Sequence, residues 1–239
     1  MNNKHSRAAT KEPMRKRFFI TSPGTDIGKT FITAAMVRQA KALGRSAAAY
    51  KPVISGFDAE KPEKSDTGIL LHGLGRLITA DSIERVSPWR YELPLAPPMA
   101  ARVEERPTLD FNKLVSFSRE VIDGPEHIVL IEGAGGVMSP LDGKHTVLDW
   151  IEACGIPVVV VSGSYVGTIS HTLTALAVVQ QRKIPIHALI LDESEESGVS
   201  LDATAAELKR WIHAPIIPVG RRSCPDGWKY VPELKTIFD

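Results

Sequence analysis

The sequence contains little cysteine and almost no net charge. Its 239 residues include two cysteines, Cys154 and Cys224, which lie far apart along the chain. Such a pair argues against a disulfide framework or a cysteine-based metal site, and we expect Cys154 to be a small buried apolar residue. A formal net charge of +1 offers no electrostatic basis for binding nucleic acid or an anionic membrane. We therefore expect neither kind of partner.

Long apolar runs are also absent. No stretch approaches the roughly 20 apolar residues that span a bilayer. The first sixteen residues are basic and polar but lack the apolar segment of a secretory signal. We expect residues 1–16 to be a disordered basic tail, residues 17–222 to form one domain, and the protein to be cytoplasmic. Residues 223–239 show a loose pattern that predicts no role.

Short apolar runs alternate with amphipathic stretches through most of the chain. Continuous apolar strands are typical of a mostly parallel β-sheet covered by helices on both faces, a single-domain α/β fold. Ligands bind such sheets at the carboxyl ends of the strands. Residues 55–66 and 84–108 are rich in proline and charge and are predicted to be loops over the site, with 94–98 neither helix nor inner strand. The predicted strands are 17–21, 47–53, 128–132, 157–162, 187–191 and 216–219, and the predicted helices are about 28–43, 65–75, 110–122, 146–153, 168–182 and 200–212.

A phosphate-binding loop follows the first predicted strand. Its sequence over residues 22–30 is Ser-Pro-Gly-Thr-Asp-Ile-Gly-Lys-Thr, and a helical pattern begins directly after it. Backbone N–H groups at such a turn point at a phosphate, while Lys29 reaches the outer phosphates and Thr30 holds a magnesium ion. Pro23 stands where the standard pattern has glycine. An ordinary strand-to-helix turn is the alternative, but it leaves Lys29 unexplained. The predicted phosphate-binding residues are Gly24, Thr25, Asp26, Ile27, Gly28, Lys29 and Thr30.

Three further charged residues occur at the ends of predicted strands or the start of a helix. Glu132 ends an apolar strand and precedes three glycines in four residues, so its buried carboxylate calls for a cation. Lys51 and Asp66 are candidates for an anion site and a metal site. The alternatives are an exposed acid for Glu132, a solvated charge for Lys51 and a helix N-cap at Ser65 or Asp66.

Taken together, these segments resemble the dethiobiotin synthetase family. That family's motifs T-G-T-D-T-x-V-G-K-T, Y-K-P-V-x-S-G, S-D and V-E-G-A-G-G correspond, in order and at similar spacing, to residues 21–30, 50–56, 65–66 and 131–136. Residues 96–98 resemble the family's proline-containing substrate loop. The resemblance covers roughly residues 16–220 and implies a P-loop NTPase-like fold. It favours the metal role of Asp66 and the anion role of Lys51 over their alternatives.

The resemblance implies an ATP-dependent cyclo-ligase of biotin biosynthesis. Such an enzyme uses 7,8-diaminopelargonate, CO2 or bicarbonate and ATP with Mg2+, and proceeds through a carbamate and a carbamic-phosphoric anhydride to dethiobiotin, ADP and phosphate. It further implies a homodimer. No general-base histidine is required, and we expect His145 and His171 to be structural or solvated.

The resemblance also implies a role for each matching residue. The catalytic group would be Lys29, Lys51, Thr25 and Ser55, and the magnesium ligands would be Thr30, Asp66 and Glu132. Ser55, Gly135 and Gly136 would contact the diamine. The start of a later helix, which in the family lies partly across a dimer interface, would bind the distal carboxylate of the substrate through Gly167, Thr168, Ile169 and Ser170.

The chain departs from the family pattern in two places. Ser22 and Gly24 stand where the family has glycine and aspartate in the phosphate loop. Asp192 and Glu193 replace the asparagine and aspartate that read adenine. Since an ionised aspartate accepts hydrogen bonds but cannot donate them, we expect relaxed selectivity for the nucleotide base.

Two other classes of P-loop protein are alternatives. The glutaminase-linked amidotransferases of cobalamin biosynthesis carry an additional C-terminal glutaminase domain, for which this chain is too short. Switch ATPases of the ParA/MinD type carry a second lysine five residues before the loop lysine. Gly24 occupies that position here.

Overall fold

In a computed structural model, described for residues 15–195, 197–221 and 227–238, the chain forms an α/β sandwich. Residues 1–14 of the predicted tail lie outside these ranges, and so does Cys224. The strands are β1 Lys16–Thr21, β2 Ala47–Tyr50, β3 Val53–Ser55, β4 Trp89–Tyr91, β5 Ile128–Glu132, β6 Val158–Ser162, β7 Ile186–Asp192 and β8 Ile216–Val219. The α-helices are α1 Lys29–Ala42, α2 Asp66–Gly73, α3 Ala80–Val86, α4 Pro97–Val103, α5 Phe111–Ile122, α6 Val147–Cys154, α7 Thr168–Gln181 and α8 Leu201–Leu208, and short 3-10 helices occur at Pro62–Lys64, Gly227–Lys229 and Pro232–Phe238.

Six strands form the central sheet in the order β2-β5-β1-β6-β7-β8, and every neighbouring pair is parallel. The predicted parallel α/β fold is therefore confirmed. All carboxyl ends of these strands lie at one edge, where the phosphate loop follows β1, Lys51 follows β2 and Glu132 ends β5. Within the described residues, no helix is long and apolar enough to cross a membrane.

Two hydrophobic layers cover the two faces of the sheet. Side chains alternate across a strand, so in β1 Phe19 enters one layer while Phe18 and Ile20 enter the other. Phe19 meets Trp150 of α6 edge to face, with ring centroids 4.7 Å apart. Because both faces are buried, the strands are continuous apolar runs rather than alternating ones.

Two predictions about local structure were wrong. Residues 47–53 are not one strand, because β2 ends at Tyr50 and Val53 starts β3, which pairs in parallel with β4 in a separate two-stranded sheet. Residues 84–108 are not all loop, since they contain β4 and α4. The exclusion of helix from residues 94–98 was part of that error, because Pro97 and Pro98 form the first turn of α4, where proline is tolerated since the first N–H groups of a helix have no intrahelical partner.

The C-terminal segment packs against the main domain. Trp228, Leu234 and Phe238 are buried in the same layer as α1 and α2. The segment is also held by polar contacts, because Arg45 Nη1 donates to the Phe238 carbonyl at 2.6 Å. Residues 227–238, for which the sequence predicted no role, thus complete one face of the core.

Candidate active site

The phosphate loop joins β1 to α1 through an irregular turn. Gly28 is the N-cap of α1 with φ 91°, and Asp26 has φ 55°, so the chain enters the left-handed region twice within three residues. No side chain of the described residues caps this helix start. The first N–H groups of α1 are therefore available to an anion, as the motif predicts.

Position 28 also lies close to Asp192. A Cβ atom placed there would lie 2.1 Å from Asp192 Oδ2. Asp192 ends β7 and thus stands directly against the phosphate loop. Burial raises the pKa of Asp192 to about 7, with the Arg221 charge opposing the rise and Glu193 adding to it. Its neighbour Glu193 accepts a hydrogen bond from the Arg221 backbone N–H at 2.9 Å.

Lys29 is buried beneath the loop. Its Nζ donates to Ser22 Oγ and to the Gly24 carbonyl, each at 2.9 Å. Burial and the nearby charge of Lys51 together lower the pKa of Lys29 to about 8, against the opposing effect of Glu132. The two lysines are thus close enough to interact electrostatically at one site.

The two predicted acids, Lys51 and Thr30 form one cluster. Glu132 Oε1 accepts from Lys51 Nζ at 2.6 Å and from Thr30 Oγ1 at 2.7 Å. Lys51 Nζ also lies 2.9 Å from Asp66 Oδ2. Burial alone would lower the pKa of Lys51, but its ion pairs with Glu132 and Asp66 raise it above the ordinary lysine value. Lys51 is therefore a buried, fully protonated cation rather than a solvated charge.

Asp66 is not the cap of its helix. Ser65 is the N-cap of α2, because its Oγ accepts from the Gly68 N–H at 3.1 Å. This leaves the Asp66 carboxylate free to turn toward the cluster. Burial would raise the pKa of Asp66, but the charge of Lys51 and the hydrogen bond from Lys51 hold it below the usual value. Asp66 is thus charged at neutral pH.

Glu132 retains an unused acceptor. Its side chain is fully buried, yet Oε2 has no hydrogen-bond partner among the described residues. Buried carboxylate oxygens are almost always satisfied, so an orphan oxygen on a carboxylate of this cluster fits a hard cation. Glu132, Asp66 and Thr30 are oxygen donors of the kind that Mg2+ prefers.

A cavity of about 680 Å³ opens beside this cluster. The phosphate loop, the β3 segment and the turn before α4 enclose it. Ser55 Oγ is buried at this cavity and has no partner among the described residues. Of the predicted site residues, those that line the cavity are Thr25, Asp26, Ile27, Gly28, Lys29, Thr30, Lys51, Ser55, Asp66 and Gly135.

A second cavity, of about 650 Å³, lies along the phosphate loop. Gly24 lines this cavity rather than the first, whereas Thr25, Asp26 and Ile27 line both. Its remaining walls come from Pro23, Val137, Met138 and Tyr165 and from the α7 residues His171, Thr174, Ala175 and Val178. His171 also contacts the Tyr165 hydroxyl at 3.1 Å, while His145 pairs with Asp142 at 2.8 Å.

The other predicted residues lie elsewhere. Gly167 is the N-cap of α7 with φ 92°, but residues 167–170 line neither cavity. Thr168 is buried, and its Oγ1 donates to the Gly163 carbonyl at 2.7 Å. Gly136 packs too closely for any side chain, since a Cβ there would lie 2.6 Å from the Pro23 carbonyl oxygen. The tight fit holds the glycine-rich turn against the phosphate loop.

Sequence reasoning missed some residues at the first cavity. Ser139 lines the cavity, and its Oγ accepts from the Gly136 N–H at 2.8 Å, which supports the glycine-rich turn. A serine three residues after a glycine pair is a recognisable signal for such a local bond. Lys64 lines the mouth of the cavity beside the Ser65-Asp66 pair, and no pattern in the sequence marks it.

The strand, phosphate loop, helix and parallel sheet together define a P-loop NTPase. Among solved structures, the chain is similar to a chain of the MinC:MinD cell division protein complex of Aquifex aeolicus, at 14% identity and a TM-score of 0.56, over 90% of this chain and 85% of the other. It is also similar to MinD complexed with Mg-ADP from Pyrococcus horikoshii, at 13% identity and a TM-score of 0.53, over 94% and 93%. At this low identity the likeness shows the fold and nothing finer.

Sequence comparison identifies the family within this class. A family model described as an AAA domain matches residues 16–219. The ATP-dependent dethiobiotin synthetase BioD of Phenylobacterium zucineum is 43% identical over 85% of this chain and 86% of its own length. The enzymes of the same name from Acidiphilium cryptum and Caulobacter vibrioides are 41% and 44% identical, over 90% and 84% of this chain and 97% and 90% of theirs. The chain belongs to the dethiobiotin synthetase family, which confirms the resemblance inferred from its motifs.

Proposed function

We propose that this chain closes the ureido ring of dethiobiotin from 7,8-diaminopelargonate, CO2 and ATP, with release of ADP and phosphate. One observation carries the proposal: two buried lysines, Lys29 and Lys51, converge on a single cavity beside the phosphate loop. Transfer of a phosphoryl group to a carbamate brings two anions together, and two fixed cations suit that demand.

The chemistry divides among three bond-forming steps. One substrate amine attacks CO2 and loses a proton, giving a carbamate whose anion Lys51 stabilises. A carbamate oxygen then attacks the γ-phosphorus of ATP, ADP departs, and Lys29 neutralises charge on the transferred group. The second amine attacks the carbamoyl carbon and loses a proton to water, the C–O bond to phosphate breaks with inorganic phosphate as the leaving group, and the ring closes. In this scheme the protein positions and neutralises oxygens, and no histidine acts as a base.

Thr30, Asp66 and Glu132 would hold Mg2+, with the orphan Glu132 Oε2 as the acceptor that motivates the assignment. When bound, Mg2+ neutralises oxygens of the nucleotide phosphates. The hydroxyls of Thr25 and Ser55 would orient the carbamate or the diamine. Ser55 fits this role because its buried oxygen has no partner among the described residues. The Gly135 and Gly136 backbone would line the diamine site.

The proposal includes a homodimer. Residues 167–170 begin α7, where no side chain of the described residues caps the helix, so its N–H groups suit the substrate's distal carboxylate. Within one chain these residues line neither cavity. A second copy would bring its own α7 start to the site. Sedimentation equilibrium at the protein concentrations of the activity assay tests this point. A protein that is monomeric and active at those concentrations would contradict it. We place the enzyme in the cytoplasm, where ATP is supplied.

Asp192 and Glu193 would lie near the nucleotide base. At neutral pH a carboxyl with a pKa of about 7 is partly protonated, so Asp192 can donate as well as accept. A protonated Asp192 resembles an amide more closely than an ionised one does. Because only part of the population is protonated at neutral pH, we still expect relaxed base selectivity. Turnover with ATP, GTP and CTP tests it, because a strong preference for ATP would refute relaxed selectivity.

The first experiment measures phosphate release from Mg-ATP in the presence of bicarbonate, with and without 7,8-diaminopelargonate. Mass spectrometry then determines the mass of the product. We expect diamine-dependent release and a mass gain equal to CO2 minus water. Lys51→Gln should lower turnover strongly and leave ATP binding nearly intact. Lys61→Gln, on an exposed lysine of the neighbouring loop, is the matched control. Phosphate release that ignores the diamine would instead favour a nucleotide switch.

A further inference from the structure

Ser22 is the first residue after β1 and is completely buried. Its Oγ accepts a hydrogen bond from Lys29 Nζ at 2.9 Å, donates one to the Gly24 carbonyl at 2.5 Å, and lies 3.4 Å from the Gly135 carbonyl. We propose that Ser22 is a positioning residue that holds the Lys29 ammonium in place for the outer phosphates of ATP. The inference rests on the proposed function only in assigning Lys29 to phosphate binding.

The hydrogen-bond inventory of Lys29 supports this role. An ammonium has three N–H donors, and Ser22 Oγ and the Gly24 carbonyl occupy two of them. One donor therefore remains for a phosphate oxygen. A lysine stem has four rotatable bonds and loses conformational freedom when it binds. Two fixed acceptors restrict that stem before ATP arrives, so less freedom is lost on binding.

The backbone of Ser22 is held independently of its hydroxyl. The Val137 N–H donates to the Ser22 carbonyl at 2.8 Å, which ties the phosphate loop to the glycine-rich turn. This bond survives removal of the side chain. Substitution at position 22 therefore tests the hydroxyl rather than the path of the loop. Glycine, the residue of the family pattern at this position, is a second substitution compatible with the fold.

The alternative role for Ser22 is a purely local staple between its hydroxyl and the Gly24 carbonyl. A staple would stabilise the loop whether or not Lys29 is present. A positioning residue would act only through Lys29. A double-mutant cycle separates the two roles, because residues that act through one contact are not additive.

The test measures Mg-ATP affinity for Ser22→Ala and Ser22→Gly by calorimetry, each with Lys29 intact and with Lys29→Met. Thermal shifts at millimolar ATP extend the comparison to weak binders. With Lys29 present we expect affinity to fall about 3- to 10-fold, the size of the net contribution of one ordinary hydrogen bond, because Lys29 keeps its own contact with phosphate and loses only its positioning. With Lys29→Met we expect almost no further loss. Equal losses in both backgrounds would overturn the proposal, as would no loss in either.

Steady-state kinetics supply a second readout. Ser22→Ala should lower kcat/KM for ATP and leave KM for 7,8-diaminopelargonate unchanged, because Lys29 faces the nucleotide. A matching rise in the diamine KM would indicate a distorted cavity and would contradict the positioning role. The binding cycle does not depend on ring closure. If the chain bound ATP but made no dethiobiotin, the proposed function would fail while the role of Ser22 was still decided.

Discussion

Replacing Lys51 by methionine removes a buried cation from between two carboxylates and keeps the length of its stem. Glu132 is fully buried, so its charge would be left uncompensated, whereas the Asp66 side chain is 38% exposed and partly screened by solvent. Breaking a buried pair in this way destabilises a protein by about 3–5 kcal/mol. Because Asp66 is screened, we take the lower end, about 3 kcal/mol. At roughly 2–4 °C per kcal/mol for a chain of this size, Tm should fall by about 6–12 °C.

Differential scanning calorimetry of Lys51→Met checks this prediction, with Lys61→Met as the exposed control. The double variant Lys51→Met/Glu132→Gln should recover much of the lost Tm, because the buried charge is then absent. Added Mg2+ should raise the Tm of Lys51→Met more than that of the unmodified protein, since the metal would compensate the freed carboxylates. If the Tm of Lys51→Met equals that of the unmodified protein, the view that Lys51 neutralises this cluster is refuted.

Three further predictions concern other contacts. The pKa of Asp192 is raised from 3.8 to about 7, so the contribution of this carboxyl to stability is full below about pH 4 and is lost as pH rises toward 7. Asp192→Asn should therefore be more stable than the unmodified protein at about pH 8 but not at about pH 4. Equal urea midpoints for the variant and the unmodified protein at both pH values would contradict this. Gly28→Ala places a Cβ at φ 91° and displaces the Asp192 carboxylate, whose Oδ2 would otherwise lie 2.1 Å away. We expect weaker Mg-ATP binding by calorimetry, and near-normal affinity would be the contrary result. Trp150→Phe removes the 2.8 Å hydrogen bond from Trp150 Nε1 to Ser118 Oγ and leaves a small void. The free energy of unfolding, measured in urea, should fall by about 1–3 kcal/mol. An unchanged free energy of unfolding would refute the importance of this contact.

The parallel sheet and the meeting of distant residues at its edge could be predicted from the sequence. Apolar runs too continuous for a half-exposed sheet indicated two covered faces. The parallel rule then placed the residues after β1, β2 and β5 at a common edge. Lys51 and Glu132, which are 81 positions apart, meet there at 2.6 Å. Their strand positions placed both residues at this edge, whereas the contact between them was not predicted.

Other features could not be predicted because they depend on contacts far along the chain. β3 and β4 are three residues each and are stable only as a pair, so neither leaves a clear periodic signal. The C-terminal residues 227–238 appeared featureless because their buried side chains follow short 3-10 turns rather than a regular period. From the sequence, either Ser65 or Asp66 could have been the helix cap, and only the structure shows that Ser65 is the cap.

The sequence by itself determined the chemistry that is available: the phosphate loop, its lysine, the two acids and the motifs that assign the family. These signals are local, since each depends on residue types at short fixed spacings. Only the tertiary structure decided how the groups are paired. It showed that Lys51 neutralises two carboxylates, that Glu132 keeps one oxygen without a partner among the described residues, and that the Ser22 hydroxyl contacts Lys29. The physical reason is that hydrogen bonding and charge compensation depend on distances of a few ångströms, which the packing of the whole sheet sets.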